Sequence, residues 1–323
     1  MLKVYRLSVK RSGAPVHRLH VTAKQSTCAA SLRKVSSVAP GLGTVARRPV
    51  SEVRVKVILF CGGQGLRLRE LSDSIPKAMV MVGGRPILWH IMNYYAHFGH
   101  REFILCLGYQ ADVIRDYFQH YREASSDLVV TEQGRSLESL YNDTEHWRIS
   151  FVDTGLEASV GQRLRAAGRY AGDDDIFLAN YGDVLTDAPL DELVERFRRA
   201  RKLAAFIAVR PRPYTFHLVR LNGRDHVRSV QEVNKADLWI NGGYFMFRRE
   251  ILDEIGPGED LVPDVLPRLI ERDEVLGYRY DGFWAPMDTV RDWQNLEAYV
   301  ASGDLPWAVW QERGAGLEAG EPA

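Results

Sequence analysis

The chain predicts an α/β fold: a mostly parallel sheet flanked by helices, with a small antiparallel hairpin set to one side. Three observations predict it. Short apolar runs such as Val55–Phe60 and Phe103–Leu107 alternate with amphipathic stretches of helical length, the rhythm of strand, crossover helix and parallel strand. Glycine-containing turns follow two of these runs, Gly62–Gly65 and Gly108–Tyr109. Between residues 216 and 231 the pattern changes to two short strands around Asn222-Gly223, an antiparallel hairpin signal.

Residues 1–51 hold ten of the 42 Lys and Arg and none of the 42 Asp and Glu, so the remainder carries a net charge of about −10. This segment, extended to residue 52, lacks a helical or strand period and reads as a disordered basic extension; its Arg-rich, Ser-rich and acid-free composition leaves organellar targeting as the alternative. The acidic body argues against nucleic-acid binding as its task, and no apolar run is long enough to span a bilayer. Cys28, Cys61 and Cys106 show no CxxC spacing. They read as reduced thiols of a cytoplasmic protein, with Cys61 and Cys106 in the core.

In order, the apolar run Val55–Phe60 is a buried strand. It enters the turn Gly62, Gly63, Gln64, Gly65, followed by Arg67 and Lys77. Such a turn offers backbone N–H groups to a phosphate, and two cations close behind strengthen that reading. Glycine spacing alone fits a ligand-free strand-to-helix turn equally well. Ile87, Leu88, Ile91, Met92, Tyr95 and Phe98 predict a helix with one inward face. Strand Phe103–Leu107 and helix Ala111–Tyr121 follow, then a polar surface stretch over 122–146 and strand Trp147–Val152. A short helix at Gly161–Ala167 carries Arg163, and strand Asp175–Ala179 ends in Tyr181-Gly182-Asp183. A carboxylate just past the C-terminal end of a strand stands where open α/β sheets place ligand chemistry. Helix Leu190–Lys202, strand Leu203–Val209, the hairpin, strand Ile240–Phe247, helix Leu261–Ile270 and strand Leu276–Tyr280 complete the alternation. Gly282–Arg291 reads as a loop holding Asp288, and Arg291–Ser302 as the last helix. Trp307 and Trp310 belong to a packed tail within a domain spanning 53–312, and 313–323 is loose.

The stretches Arg85–Met92, Phe151–Gly155, Tyr181–Asp183, Ile240–Gly243 and Gly282–Asp292 resemble, in order, those of the sugar-1-phosphate nucleotidylyltransferases, most nearly the glucose-1-phosphate cytidylyltransferase group. The resemblance covers roughly residues 54–310 and implies a Rossmann-like nucleotide-diphospho-sugar transferase fold. It implies transfer of a nucleotidyl group from a nucleoside triphosphate, CTP favoured, to a sugar 1-phosphate, releasing pyrophosphate. A non-catalytic nucleotide-sugar-binding homologue is the alternative. Implied site residues are Arg67 and Lys77 for the phosphates, and Asp183 and Asp288 for Mg2+. Gly62, Gly63, Gly65, Tyr109, Arg163 and Gly182 are implied for the nucleotide, and Glu232, Asn241 and Gly242 for the sugar. It also implies a homo-oligomer, while composition and apolar-run length predict no membrane or nucleic-acid partner.

The chain departs from the family pattern at Leu66, Ala78, Gln110, Val184, the run Thr215-Phe216-His217 and Val233. Val233 stands where the family holds the sugar phosphate with Lys, and Lys235, Arg210 or Arg212 are the candidate replacements. These changes cluster on the sugar-phosphate side, which predicts an altered acceptor.

Overall fold

The computed structural model describes residues 54–63, 75–120, 128–130, 137–139, 146–172, 174–211 and 217–311. The expected basic extension, Gly65, Leu66, Arg67, Arg212 and the 313–323 tail fall outside the described residues. Backbone contacts divide the chain between Arg47 and Arg48, and everything described belongs to the second unit.

The strands, in chain order, are β1 (Val57–Phe60), β2 (Met81–Val82), β3 (Arg85–Pro86), β4 (Glu102–Leu107), β5 (Leu128–Val130), β6 (Leu137–Ser139), β7 (Arg148–Asp153), β8 (Ile176–Tyr181), β9 (Val184–Thr186), β10 (Ala204–Val209), β11 (His217–Leu221), β12 (Val227–Glu232), β13 (Ile240–Arg248), β14 (Val275–Tyr280) and β15 (Trp284–Pro286). The α-helices are α1 (Ile87–His97), α2 (Ala111–Gln119), α3 (Val160–Gly168), α4 (Leu190–Ala200), α5 (Ile251–Glu254), α6 (Leu266–Glu271) and α7 (Val290–Ser302).

Seven strands form the central sheet in the order β14-β10-β13-β8-β1-β4-β7. Neighbours run parallel except at β13, which is antiparallel to both β10 and β8. Val57, Ile58 and Leu59 of β1 are wholly buried, as a strand covered on both faces must be, which is why the run reads as continuous apolar sequence. The hairpin over 216–231 is present as β11–β12, with His217 opposite Glu232.

Several expectations are corrected or refined. Helix α1 does not bury a single face: Ile87 through Ala96 are all buried. The indole of Trp310 packs edge-on to Trp89, and Trp307 lies beside His90, so residues near the C-terminus cover the side of α1 that would otherwise meet water. The Gly282–Arg291 segment is not wholly loop either, because Trp284–Pro286 pairs with Val184–Thr186 in a short antiparallel ladder. Within 122–146, read as a polar surface stretch, β5 and β6 form a further two-stranded sheet. The expected helix over 261–270 starts as a π turn at Leu261–Val265 before becoming α6.

Candidate active site

The parallel strands β1, β4 and β8 end on one edge of the sheet, and a cavity of about 910 Å³ opens there. Gly62 and Gly63 line one part of it, with residues 156–160, which lead into α3, and Arg163. Tyr181, Ile240, Asn241, Gly242 and Trp284 line another. Lys77, Gly182, Asp183 and Asp288 lie on its wall as well.

Three charged groups meet at one point. The Lys77 ammonium lies 2.6 Å from Asp183 Oδ2 and 2.6 Å from Asp288 Oδ1. Lys77 opens a short 3-10 turn after β1, Asp183 follows β8, and Asp288 precedes α7. The small ladder missed in the sequence joins the two carboxylates. Pro286 pairs with Val184, and Met287 N–H donates to the Asp183 carbonyl at 2.9 Å. Thr289 caps α7, with Asp292 completing a capping box, and Asp288 N–H donates to Asp292 Oδ2 at 3.2 Å. Asp288 is therefore fixed from both sides.

Burial alone would push the Lys77 ammonium down, but Asp183 and Asp288 outweigh it and hold it above the ordinary lysine range. Burial pushes the Asp183 carboxyl up, and Lys77 opposes that rise. Two carboxyl groups face the one ammonium, so the site offers a pair of hard oxygen donors of the kind Mg2+ takes. No group of three or more Asp, Glu, His or Cys side chains placed to hold a metal ion occurs among the described residues. A Mg2+ held here would complete its shell with phosphate and water oxygens, which is its usual habit.

Arg163 is 5% exposed, and its guanidinium is committed to protein oxygens. Nη1 donates to Leu107 O at 3.2 Å and Thr154 Oγ1 at 2.7 Å. Nη2 donates to Gly62 O at 3.2 Å and Leu156 O at 3.0 Å. These bonds tie the ends of β4 and β7 to the glycine turn, and Gly62 is required because a Cβ there would lie 2.0 Å from Nη1. Tyr109 N–H also donates to Gly62 O, at 3.2 Å. Tyr109 itself is absent from the cavity lining. The stretch 156–160 was not singled out in the sequence. Its only signal there is Ser159, whose side chain caps α3 in a capping box with Gln162.

On the other side, Asn241 Nδ2 donates to Tyr181 Oη at 3.4 Å and Asn241 Oδ1 accepts from Gly243 N–H at 2.9 Å. Trp284 Nε1–H donates to Gly242 O at 2.8 Å. Burial pushes the Tyr181 phenol up to about 12, so it stays neutral. Glu232 is bound to Lys235 at 2.9 Å, and neither lines the cavity. Arg210 pairs with Asp281 at 3.3 Å and stacks over Trp239, also off the lining. The structure thus brings Gly62, Gly63, Lys77, Arg163, Gly182, Asp183, Asn241, Gly242 and Asp288 to one cavity, and Tyr109 and Glu232 are not among its lining residues.

Residues 56–301 match the nucleotidyl transferase family. The chain is 35% identical over 259 residues to glucose-1-phosphate cytidylyltransferase of Salmonella typhimurium, covering 80% of this chain and all of the relative. In fold it is similar to apo UDP-glucose pyrophosphorylase, with a TM-score of 0.57, 15% identity and coverage of 78% of this chain and 100% of that one. It is also similar to HddC from Yersinia pseudotuberculosis, with a TM-score of 0.53, 19% identity and coverage of 76% and 98%. A mostly parallel sheet whose strand ends gather a lysine and two aspartates at one cavity, and a sequence match over nearly all described residues, lead to one conclusion: the chain belongs to the nucleotidyl transferase family, as a sugar-1-phosphate nucleotidyltransferase similar to the glucose-1-phosphate cytidylyltransferases.

Proposed function

We propose that the chain transfers a cytidylyl group from CTP to glucose 1-phosphate or a related sugar 1-phosphate, with Mg2+, giving a CDP-sugar and pyrophosphate. The observation that carries this is the meeting of Lys77, Asp183 and Asp288 between a glycine turn and a polar-aromatic pocket. The name of the Salmonella relative supports the choice of CTP and of the sugar phosphate.

Two anions must approach each other in this reaction, so charge neutralisation and in-line alignment do most of the work. Lys77 faces the α-phosphate and steadies the charge that builds as the acceptor oxygen attacks. Gly62 and Gly63 let the nucleotide lie close to the backbone, and Arg163 holds that turn and the Leu156 loop in place. The family resemblance gives Arg67 the departing phosphates. Asn241, Gly242 and the neutral Tyr181 phenol bind and orient the sugar. Asp183 and Asp288 would hold the Mg2+, which when bound neutralises phosphate charge and orients the triphosphate. Val233 leaves the acceptor phosphate without the family's lysine, so the acceptor side has room to accept a sugar phosphate other than glucose 1-phosphate.

The test is pyrophosphate release with Mg2+, CTP and a panel of sugar 1-phosphates. Release that stops with a chelator and in Asp183→Asn supports the proposal. Retained ligand binding with no release for any triphosphate and sugar phosphate refutes it and leaves a binding homologue.

A further inference from the structure

We infer that Trp293 and Glu297, on the outer helix α7, are positioning residues that set Lys77 between the two carboxylates. The inference rests on the role of Lys77 proposed above. Neither side chain lines the cavity, and both act through one short piece of backbone.

Lys77 begins a compact segment. Val80 N–H donates to Lys77 O at 3.1 Å, and Ile87 N–H donates back to Val80 O at 2.9 Å. Between them, Met81 pairs with Pro86 and Val82 with Arg85. These bonds tie residues 77–87 into one tight hairpin, with Gly83-Gly84 at its tip and Lys77 at its base. Helix α7 grips that hairpin at two points. Trp293 Nε1–H donates to Met81 O at 2.9 Å, and Gly83 N–H donates to Glu297 Oε1 at 2.9 Å. The two residues are four apart, so they lie on one face of the helix.

The same helix starts immediately after Asp288, whose backbone is tied to Asp292. One rigid rod thus carries a carboxylate at its N-terminal end and holds the lysine-bearing hairpin one to two turns along. Any rotation of the hairpin against the rod changes the distance from Nζ to Asp288 Oδ1. Productive geometry in such sites tolerates only about 0.5 Å, and the carboxylate–ammonium contacts are already short at 2.6 Å. The two carboxylates are set against each other independently, by the β9–β15 ladder and the Met287–Asp183 bond. Loss of the α7 grip would misplace the lysine while leaving the aspartates together.

The experiment is a double-mutant cycle on the full chain, read as kcat and KM for CTP and for the sugar phosphate, with melting temperatures in parallel. Glu297→Ala is expected to lower kcat about tenfold, equivalent to about 1.4 kcal/mol, with both KM values changed less than about twofold. Glu297→Gln, which keeps the accepting oxygen, is expected to restore most of kcat. Trp293→Phe, which loses only the N–H donor among its polar groups, is expected to match Glu297→Ala and carries the test if that variant folds poorly. In a Lys77→Ala background, Glu297→Ala is expected to cost nothing further in kcat, because a residue acting through Lys77 has nothing left to position. Additive losses in that background overturn the inference, as does a Glu297→Gln variant as slow as Glu297→Ala, or an unchanged kcat in both single variants. A Lys77→Ala enzyme with undiminished kcat overturns instead the role of Lys77, and the positioning role with it.

Discussion

Acidification from about pH 7.5 to about pH 5 is expected to cost the fold about 2 kcal/mol through His90 alone. His90 is 5% exposed. Its Nδ1 faces the Trp307 indole N–H at 3.2 Å and its Nε2 faces Val82 O at 2.9 Å. An indole N–H can only donate, so Nδ1 must accept and Nε2 must carry the proton. A second proton on Nδ1 would set one donor against another in a buried site. Burial lowers the His90 pKa to about 4, the Arg85 charge adding to the fall and the Val82 carbonyl opposing it. The unfolded value is about 6.5. The folded pKa is the depressed one, so the contribution is complete above about pH 6.5 and is lost as the pH falls towards 4. The whole gap corresponds to about 3 kcal/mol, of which about 2 kcal/mol is gone by pH 5. The assay is urea unfolding of wild type and His90→Gln at both pH values. Glutamine can keep an acceptor and a donor but does not titrate, and the carboxylates common to both proteins cancel. The pH response of wild type should exceed that of the variant by about 2 kcal/mol. Equal responses, or an NMR titration of His90 centred near 6.5, would refute the reasoning. His100 is a second case: 4% exposed, its Nδ1 accepting from Val55 N–H at 3.2 Å and its pKa lowered to about 4 by burial, with the Arg198 charge adding to the fall.

Two further outcomes follow from the geometry. Arg163→Lys cannot reproduce four bonds from two guanidinium nitrogens; it should lose about 3 kcal/mol of stability in denaturant melts, from buried oxygens left unpaired, and should raise KM for the nucleotide more than for the sugar phosphate. Gly243→Ala places a Cβ at φ +77 and 2.6 Å from the Tyr181 ring; a loss of about 2 kcal/mol or more in the same assay is expected.

Much of the architecture was legible because the fold uses buried strands. Continuous apolar runs such as Ile176–Ala179 and Ala204–Val209 have no alternative as surface loops, and each lies in the central sheet. The β9–β15 ladder was not legible. Each strand has three residues, and Pro286 breaks the usual strand signal while sitting in a two-stranded pair, where the missing N–H costs little. Yet this ladder brings Asp183 and Asp288 together. Arg163 illustrates a second limit: sequence names a cation near a phosphate turn, but only the packing shows that its donors are spent on Leu107, Thr154, Gly62 and Leu156. Likewise the helix period of Ile87–Phe98 marks one apolar face, whereas burial of the other depends on Trp307 and Trp310, more than 200 residues later.

The sheet order also has a consequence during synthesis. Strand β1 lies between β4 and β8. The first of these follows it closely in the chain, but the second begins only at Ile176. At roughly 5–20 residues per second, the ribosome needs roughly 6 to 23 s to progress from Phe60 to Ile176. Over that interval one edge of a fully apolar strand has no permanent neighbour. A nascent chain of this kind presents a template for wrong pairing, so slower initiation, lower growth temperature or a chaperone that shields that edge should raise the yield of folded protein more than changes to the finished surface.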